Sequence, residues 1–98
     1  MKRTLIVRPD VKAEVNRVAS EYERLTPGTG RRFDLSVLQI FDRIAFMPKM
    51  FEKLNRRVRI APVRKFPFAV LCVVTRNAVE VFALIPTRSN PMNWPLKP

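Results

Sequence analysis

The side chains able to do chemistry in this sequence are few, and most of them are cations. Histidine is absent and cysteine occurs once. No metal site is expected, because the nitrogen and sulfur ligands it would need are missing, and no organic cofactor is implied. A lone cysteine also excludes a disulfide within the chain. Cys72 sits in the apolar run Phe68–Val74. A reactive thiol needs a cationic, partly exposed setting, so Cys72 reads as a small core residue. Glu14, Glu21, Glu23 and Glu52 are spread along helix faces and a connector with no partner set, and read as surface. What remains is Arg59 and Arg64, on an edge strand, and Arg88, placed at a strand end beside an exposed loop, where binding residues concentrate. Arg59 and Arg64 read first as solvated charges and second as a site, whereas Arg88 reads about evenly as either. Trp94 reads as an anchor that pins a proline-rich tail to the sheet.

The charge balance widens that picture. The 98 residues carry 19 Lys and Arg against 8 Asp and Glu, a net charge of +11. Such a surface attracts polyanions: nucleic acid, acidic protein segments or anionic membrane. A hydrophobic fraction of 47% is that of a folded chain. The length suits one domain, residues 1–98, whose tail from 86 to 98 is proline-rich. A membrane-surface protein would want a basic amphipathic helix, and the first helix is mixed in charge; no membrane partner is expected. Met1-Lys2-Arg3 is followed by only the short run Thr4–Val7, far short of a signal-peptide core; the cytoplasm is the expected compartment. A helix–turn–helix reader would place its basic residues on its second helix, whereas here they are spread from Arg31 to Arg88.

The elements that position these residues follow from periodicity. Thr4–Val7 reads as a strand stopped by Pro9. Asp10 sits where a helix cap is expected, and Val11, Val15, Val18, Ala19, Tyr22 and Leu25 form one apolar stripe. Thr26-Pro27-Gly28-Thr29-Gly30 is a tight turn. From Arg31, a second helix puts Phe33, Val37, Ile40, Phe41 and Ile44 on one face and ends at Pro48. Two helices joined this closely pack as an antiparallel hairpin. Residues 49–56 are a mixed connector. Arg57–Ile60 alternates as a half-buried strand, and Pro62 places it at a sheet edge or at a bulge. Phe66-Pro67-Phe68 bends the chain into Phe68–Val74, which is apolar on both faces and so central. Arg76-Asn77 is a two-residue turn into the last strand, Val79–Ile85. The expected fold is α+β in the order β-α-α-β-β-β, an antiparallel sheet packed against a helical hairpin.

Arg59, then Phe66-Pro67-Phe68, then an apolar strand pair, then Arg88-Ser89-Asn90-Pro91-Met92-Asn93-Trp94 resembles the RelE/ParE toxin superfamily, and its ParE-like members in particular. Tyr22, Pro27-Gly28-x-Gly30, Phe33 and Pro48 extend the resemblance over residues 3 to 94. It implies a growth-inhibiting toxin of a type II toxin–antitoxin pair, neutralised by a cognate acidic antitoxin, with operator DNA contacted only through that antitoxin. The +11 charge suits an acidic, partly disordered partner on physical grounds as well.

Two mechanisms occur in the superfamily. RelE-type members cut messenger RNA on the ribosome, with sheet arginines and lysines and a C-terminal tyrosine, histidine or glutamate. ParE-type members poison DNA gyrase by binding. Arg88 matches a functional arginine of the RelE type. Trp94 stands where some nucleases carry a tyrosine, and an indole N–H is no general base. Ala69 stands where a central-strand arginine is usual. ParE-like members often carry a histidine at the position near Ile85-Pro86. The expectation is therefore a toxin that binds a gyrase-type target through Arg59, Arg64, Arg88 and Trp94. One alternative is a ribosome-dependent endonuclease built on Arg59, Arg64 and Arg88. Another is a non-toxic relative that binds only antitoxin or DNA.

Overall fold

The computed structural model describes residues 2–98. The chain runs β1 (Thr4–Val7), α1 (Pro9–Leu25), α2 (Thr29–Phe46), β2 (Glu52–Lys53), β3 (Val58–Pro62), β4 (Phe68–Val74) and β5 (Ala78–Pro86), with short 3-10 turns at Pro48–Met50 and Pro91–Asn93. One sheet holds all five strands in the order β1-β5-β4-β3-β2. The three long C-terminal strands are antiparallel neighbours, as expected. β1 joins the far side of β5 in parallel, with Thr4 opposite Ala78 and Val7 opposite Val81. Periodicity does not encode strand direction, so the mixed character of the sheet was not visible in the sequence.

The helix boundaries shift from expectation for local reasons. Pro9, not Asp10, opens α1, with Arg8 as the capping residue. The fixed φ of proline suits the first helical position. Asp10 then lies inside the first turn, where its Oδ1 accepts from the Val11 amide at 3.1 Å. α2 begins at Thr29, two residues ahead of Arg31. Gly28, at φ 90°, reverses the chain at once, a conformation that glycine adopts without a Cβ penalty. The Glu23 carboxylate then accepts from the amides of Gly28 (2.8 Å) and Gly30 (3.0 Å). It thereby satisfies donors that a helix start leaves open, so Glu23 is a structural residue and not a free surface charge.

The helical hairpin covers one face of the sheet. Val11, Val15 and Val18 of α1 and Phe33, Val37, Ile40 and Ile44 of α2 are buried against Ala61, Val70, Cys72, Val79 and Val81. Tyr22, Phe33, Phe66 and Phe68 form a ring cluster in this layer, with Phe33 5.2–5.6 Å from the other three centroids. The opposite face carries a second apolar layer of Val58, Ala69, Leu71, Val73, Phe82, Ala83 and Ile85, on which Leu54, Ile60 and Trp94 pack. β4 is thus covered on both sides. A bulge between Leu71 and Cys72 in the β4–β5 pairing gives β5 an extra residue. It turns both Phe82 and Ala83 toward this second layer, which strict alternation forbids.

β3 is an edge strand for only part of its length. Residues 49–56, expected as a connector, fold back so that β2 pairs Glu52 with Ile60 and Lys53 with Arg59. Pro62 lies beyond that pairing, on the open edge, where its missing N–H costs nothing. The Arg76-Asn77 turn lacks glycine and is closed by Thr75, whose amide donates to the Ala78 carbonyl at 2.8 Å and whose hydroxyl accepts from the Ala78 amide at 3.2 Å.

Cys72 is fully buried in the helix-side layer. Burial pushes its thiol from its ordinary 9.0 up to about 11, with the nearby Arg59 charge opposing the shift. The folded protein therefore keeps the thiol protonated after the unfolded chain has released it. Stability tied to this group is complete below pH 9.0 and is lost as pH rises toward about 11. Iodoacetamide at pH 8 is expected to spare native protein and to alkylate Cys72 fully in denaturant. Equal rates in both states would place the thiol outside the core. Between pH 8 and 10.5 the urea midpoint should fall further than that of Cys72→Ala.

Candidate functional site

The cations concentrate in the second half of the molecule. Residues 47–98 hold ten Lys and Arg and two carboxylates, Glu52 and Glu80, and so carry eight of the eleven net charges. Six of the eight acidic residues lie on the two helices. Among the described residues the ion pairs are Lys2–Asp42, Arg8–Asp10, Arg17–Glu14 and Arg24–Glu21. All lie on the N-terminal half, and the sheet's own cations are left without partners.

These cations meet at one end of the sheet. A groove of about 610 Å³ is walled by Val73, Val74 and Thr75. Arg3 enters it from the start of β1, Lys49 from the 3-10 turn and Lys53 from β2. Arg56 and Arg57 come from the β2–β3 turn, Arg59 from β3 and Arg76 from the β4–β5 turn. No carboxylate lines the groove. The side chain of Asn55 shapes the β2–β3 turn by accepting from the amides of Arg57 and Val58, both at 2.9 Å, and its Nδ2 donates to the Leu96 carbonyl at 3.2 Å. The Arg59 guanidinium is fixed by donating to the carbonyls of Phe51 (2.8 Å) and Lys49 (3.3 Å). Arg3 is held through its backbone, its amide donating to the Ala45 carbonyl at 2.9 Å. Its Nε is buried without a protein acceptor.

The four residues singled out from sequence are spread over the molecule. Arg59 sits on the rung of Cys72 and Val81. Pro62, Ala69 and Ile85 form a rung three residues away, about 10 Å along the strands at 3.3 Å per residue. Arg64 and Arg88 lie beyond that end. Arg64 lines a different groove, of about 470 Å³, between α2 and β3, with Gln39, Asp42 and Arg43. Arg88 is exposed in the turn after β5, closed by the Ser89 amide donating to the Pro86 carbonyl at 3.2 Å. Trp94 is half-buried on the face opposite the helices, its indole donating to Ser89 Oγ at 2.8 Å. Ala69 is fully buried on that same face. The arginines thus do not converge on a common point. Only Arg59 enters the basic groove, and its other six cations were not singled out in the sequence. Five of them sit in turns or ahead of a strand, where spacing carries no information about facing. The one available signal was the shortage of acids after residue 47.

Fold and site together define an α+β domain, a helical hairpin on a five-stranded sheet, with a basic sheet end. The chain is similar to a chain of a solved structure described as the chromosomal ParDE TA system from P. aeruginosa, with a TM-score of 0.77 and 11% sequence identity. The match covers 89% of this chain and 98% of the other. No protein-family model and no curated protein matches the sequence. At 11% identity the likeness is one of fold, and it agrees with the resemblance carried by the motifs from Arg59 to Trp94. No helix among the described residues is long and apolar enough to cross a membrane.

Proposed function

We propose that this chain is the toxin of a type II toxin–antitoxin pair, that it acts in the cytoplasm by binding a gyrase-type target, and that a cognate acidic antitoxin neutralises it. The observation that carries this reading is the fold shared over 98% of a chain of a ParDE system. The separation of Arg59, Arg64 and Arg88 favours binding over RNA cleavage. Phosphodiester transfer needs a base, a charge stabiliser and an acid around one phosphate. The groove around Arg59 supplies cations and neither a carboxylate nor a phenol, and Trp94 is engaged in packing. An antitoxin segment would find apolar footholds on and just after α2, where Leu35, Leu38, Phe46, Met47 and Met50 are exposed. Arg32, Arg43 and Arg64 flank the grooves beside them.

Purified chain, free of antitoxin, is expected to inhibit supercoiling by DNA gyrase and to leave messenger RNA intact on translating ribosomes. Undisturbed supercoiling at saturating protein would remove the gyrase target. Codon-positioned cuts that vanish in Arg88→Ala would establish the nuclease instead. Growth unchanged on induction would leave a partner-binding relative without toxicity.

A further inference from the structure

We propose that the basic groove at the β2–β3 end of the sheet is a binding site for the phosphate backbone of duplex DNA. This goes beyond the toxin reading and does not depend on it. It assigns to the chain itself a contact that the family resemblance implies only through an antitoxin.

The first argument is electrostatic. Seven like charges surround one groove whose lining has no carboxylate, and none takes part in an ion pair among the described residues. Gathering cations in this way raises the free energy of the unbound protein, and a polyanion relieves it. The second argument is geometric. Arg59 is aimed by two backbone carbonyls, and Arg3 is held between α2 and the β4–β5 turn, the adjacent Thr4 amide donating to the Asn77 carbonyl at 3.0 Å. The Arg59 guanidinium and the Arg3 backbone are thus in place before a ligand arrives. Five of the seven cations are arginines, whose forked donors match phosphate oxygens in pairs.

The walls decide which polyanion fits. Their uncharged lining is Val73, Val74 and Thr75, with no aromatic ring. Single-stranded nucleic acid is held by stacking its bases on aromatic side chains, and nothing here offers that. An acidic peptide would need apolar pockets for its anchors, yet Val73 is turned into the opposite apolar layer. A duplex keeps its bases stacked inside and presents phosphates outward, about one charge per 1.7 Å of axis. Contacts to that backbone position a protein without reading sequence.

Fluorescence anisotropy with a short labelled duplex tests this. Affinity is expected to fall steeply between about 50 and 200 mM salt, in proportion to the number of phosphates neutralised. Arg56→Ala combined with Arg57→Ala removes two exposed turn side chains and keeps the backbone donors to Asn55. It is expected to weaken duplex binding about ten- to hundredfold at 100 mM salt and to flatten the salt slope by about two units. Arg31→Ala with Arg32→Ala removes the same charge on α2, away from the groove, and should cost less than about a third of that effect on a logarithmic scale. Equal losses from the two pairs would reduce the binding to net charge and overturn the site. A single strand of the same sequence that binds as tightly as the duplex, or a polyglutamate peptide that displaces it equally well, would overturn the choice of ligand.

Discussion

Phe33→Ala is expected to lose about 3–5 kcal/mol of folding free energy, a large part of the roughly 5–15 kcal/mol that a domain possesses. Phe33 is fully buried, and its ring meets those of Tyr22, Phe66 and Phe68. Those partners come from α1, from the loop before β4 and from β4 itself. Truncation therefore opens a cavity where α1, α2 and the start of β4 meet, and none of them can relax to fill it without leaving another. Edge-to-face geometry adds to the loss, since tilted and T-shaped pairs contribute beyond their buried area. Urea unfolding of Phe33→Ala and Phe33→Leu measures it. The leucine variant should recover much of the deficit. A loss below about 1 kcal/mol for alanine would mean that the ring cluster is not a keystone of the core.

Gly30→Ala is the second large effect, and it works by crowding. A Cβ at position 30 would press against the backbone carbonyl oxygen of Ala19 and lie 2.9 Å from Glu23 Cβ. Ala19 is in the interior of α1, so its carbonyl cannot move aside without bending that helix. The same displacement breaks the bonds from the Gly28 and Gly30 amides to the Glu23 carboxylate. Overpacking costs about 1–3 kcal/mol, and the upper end is expected because backbone is the obstacle. For a domain of this size that lowers the melting temperature by roughly 12–24 °C. A calorimetric shift under about 4 °C would show that the hairpin opens easily. Glu23→Gln, which keeps the shape and loses the charge, should fall between wild type and Gly30→Ala.

Much of the layering was legible because it is written in periodicity. Val11, Val15 and Val18 on α1 and Phe33, Val37, Ile40 and Ile44 on α2 were expected on the core faces and lie there. The apolar run of β4 was expected to be covered on both sides, and it is. The capping of α2 by Glu23 was not legible, because the carboxylate reaches seven residues along the chain to Gly30 and no local motif encodes that reach. β2 was missed because two charged residues, Glu52 and Lys53, carry no alternation. The site fared worse than the fold. Arg59 was singled out, yet Arg3, Arg76 and Lys49 join it only because β1, the β4–β5 turn and the 3-10 turn are brought to one sheet end. That coincidence belongs to topology and leaves no trace in the spacing of charges.

The parallel pairing of β1 with β5 carries a kinetic consequence. Thr4 finds its partner in Ala78, 74 residues later, which makes this contact among the slowest to form, since rate falls with the sequence separation of native contacts. During synthesis at about 5–20 residues per second, β1 waits roughly 4–15 s before residue 78 exists at all. Until then the helical hairpin has no β5 to cover, and Arg3 has no β4–β5 turn beside it. The groove that gathers Arg3 with Arg76 is therefore assembled last, and the charged end stays open and unformed until the final strand is in place.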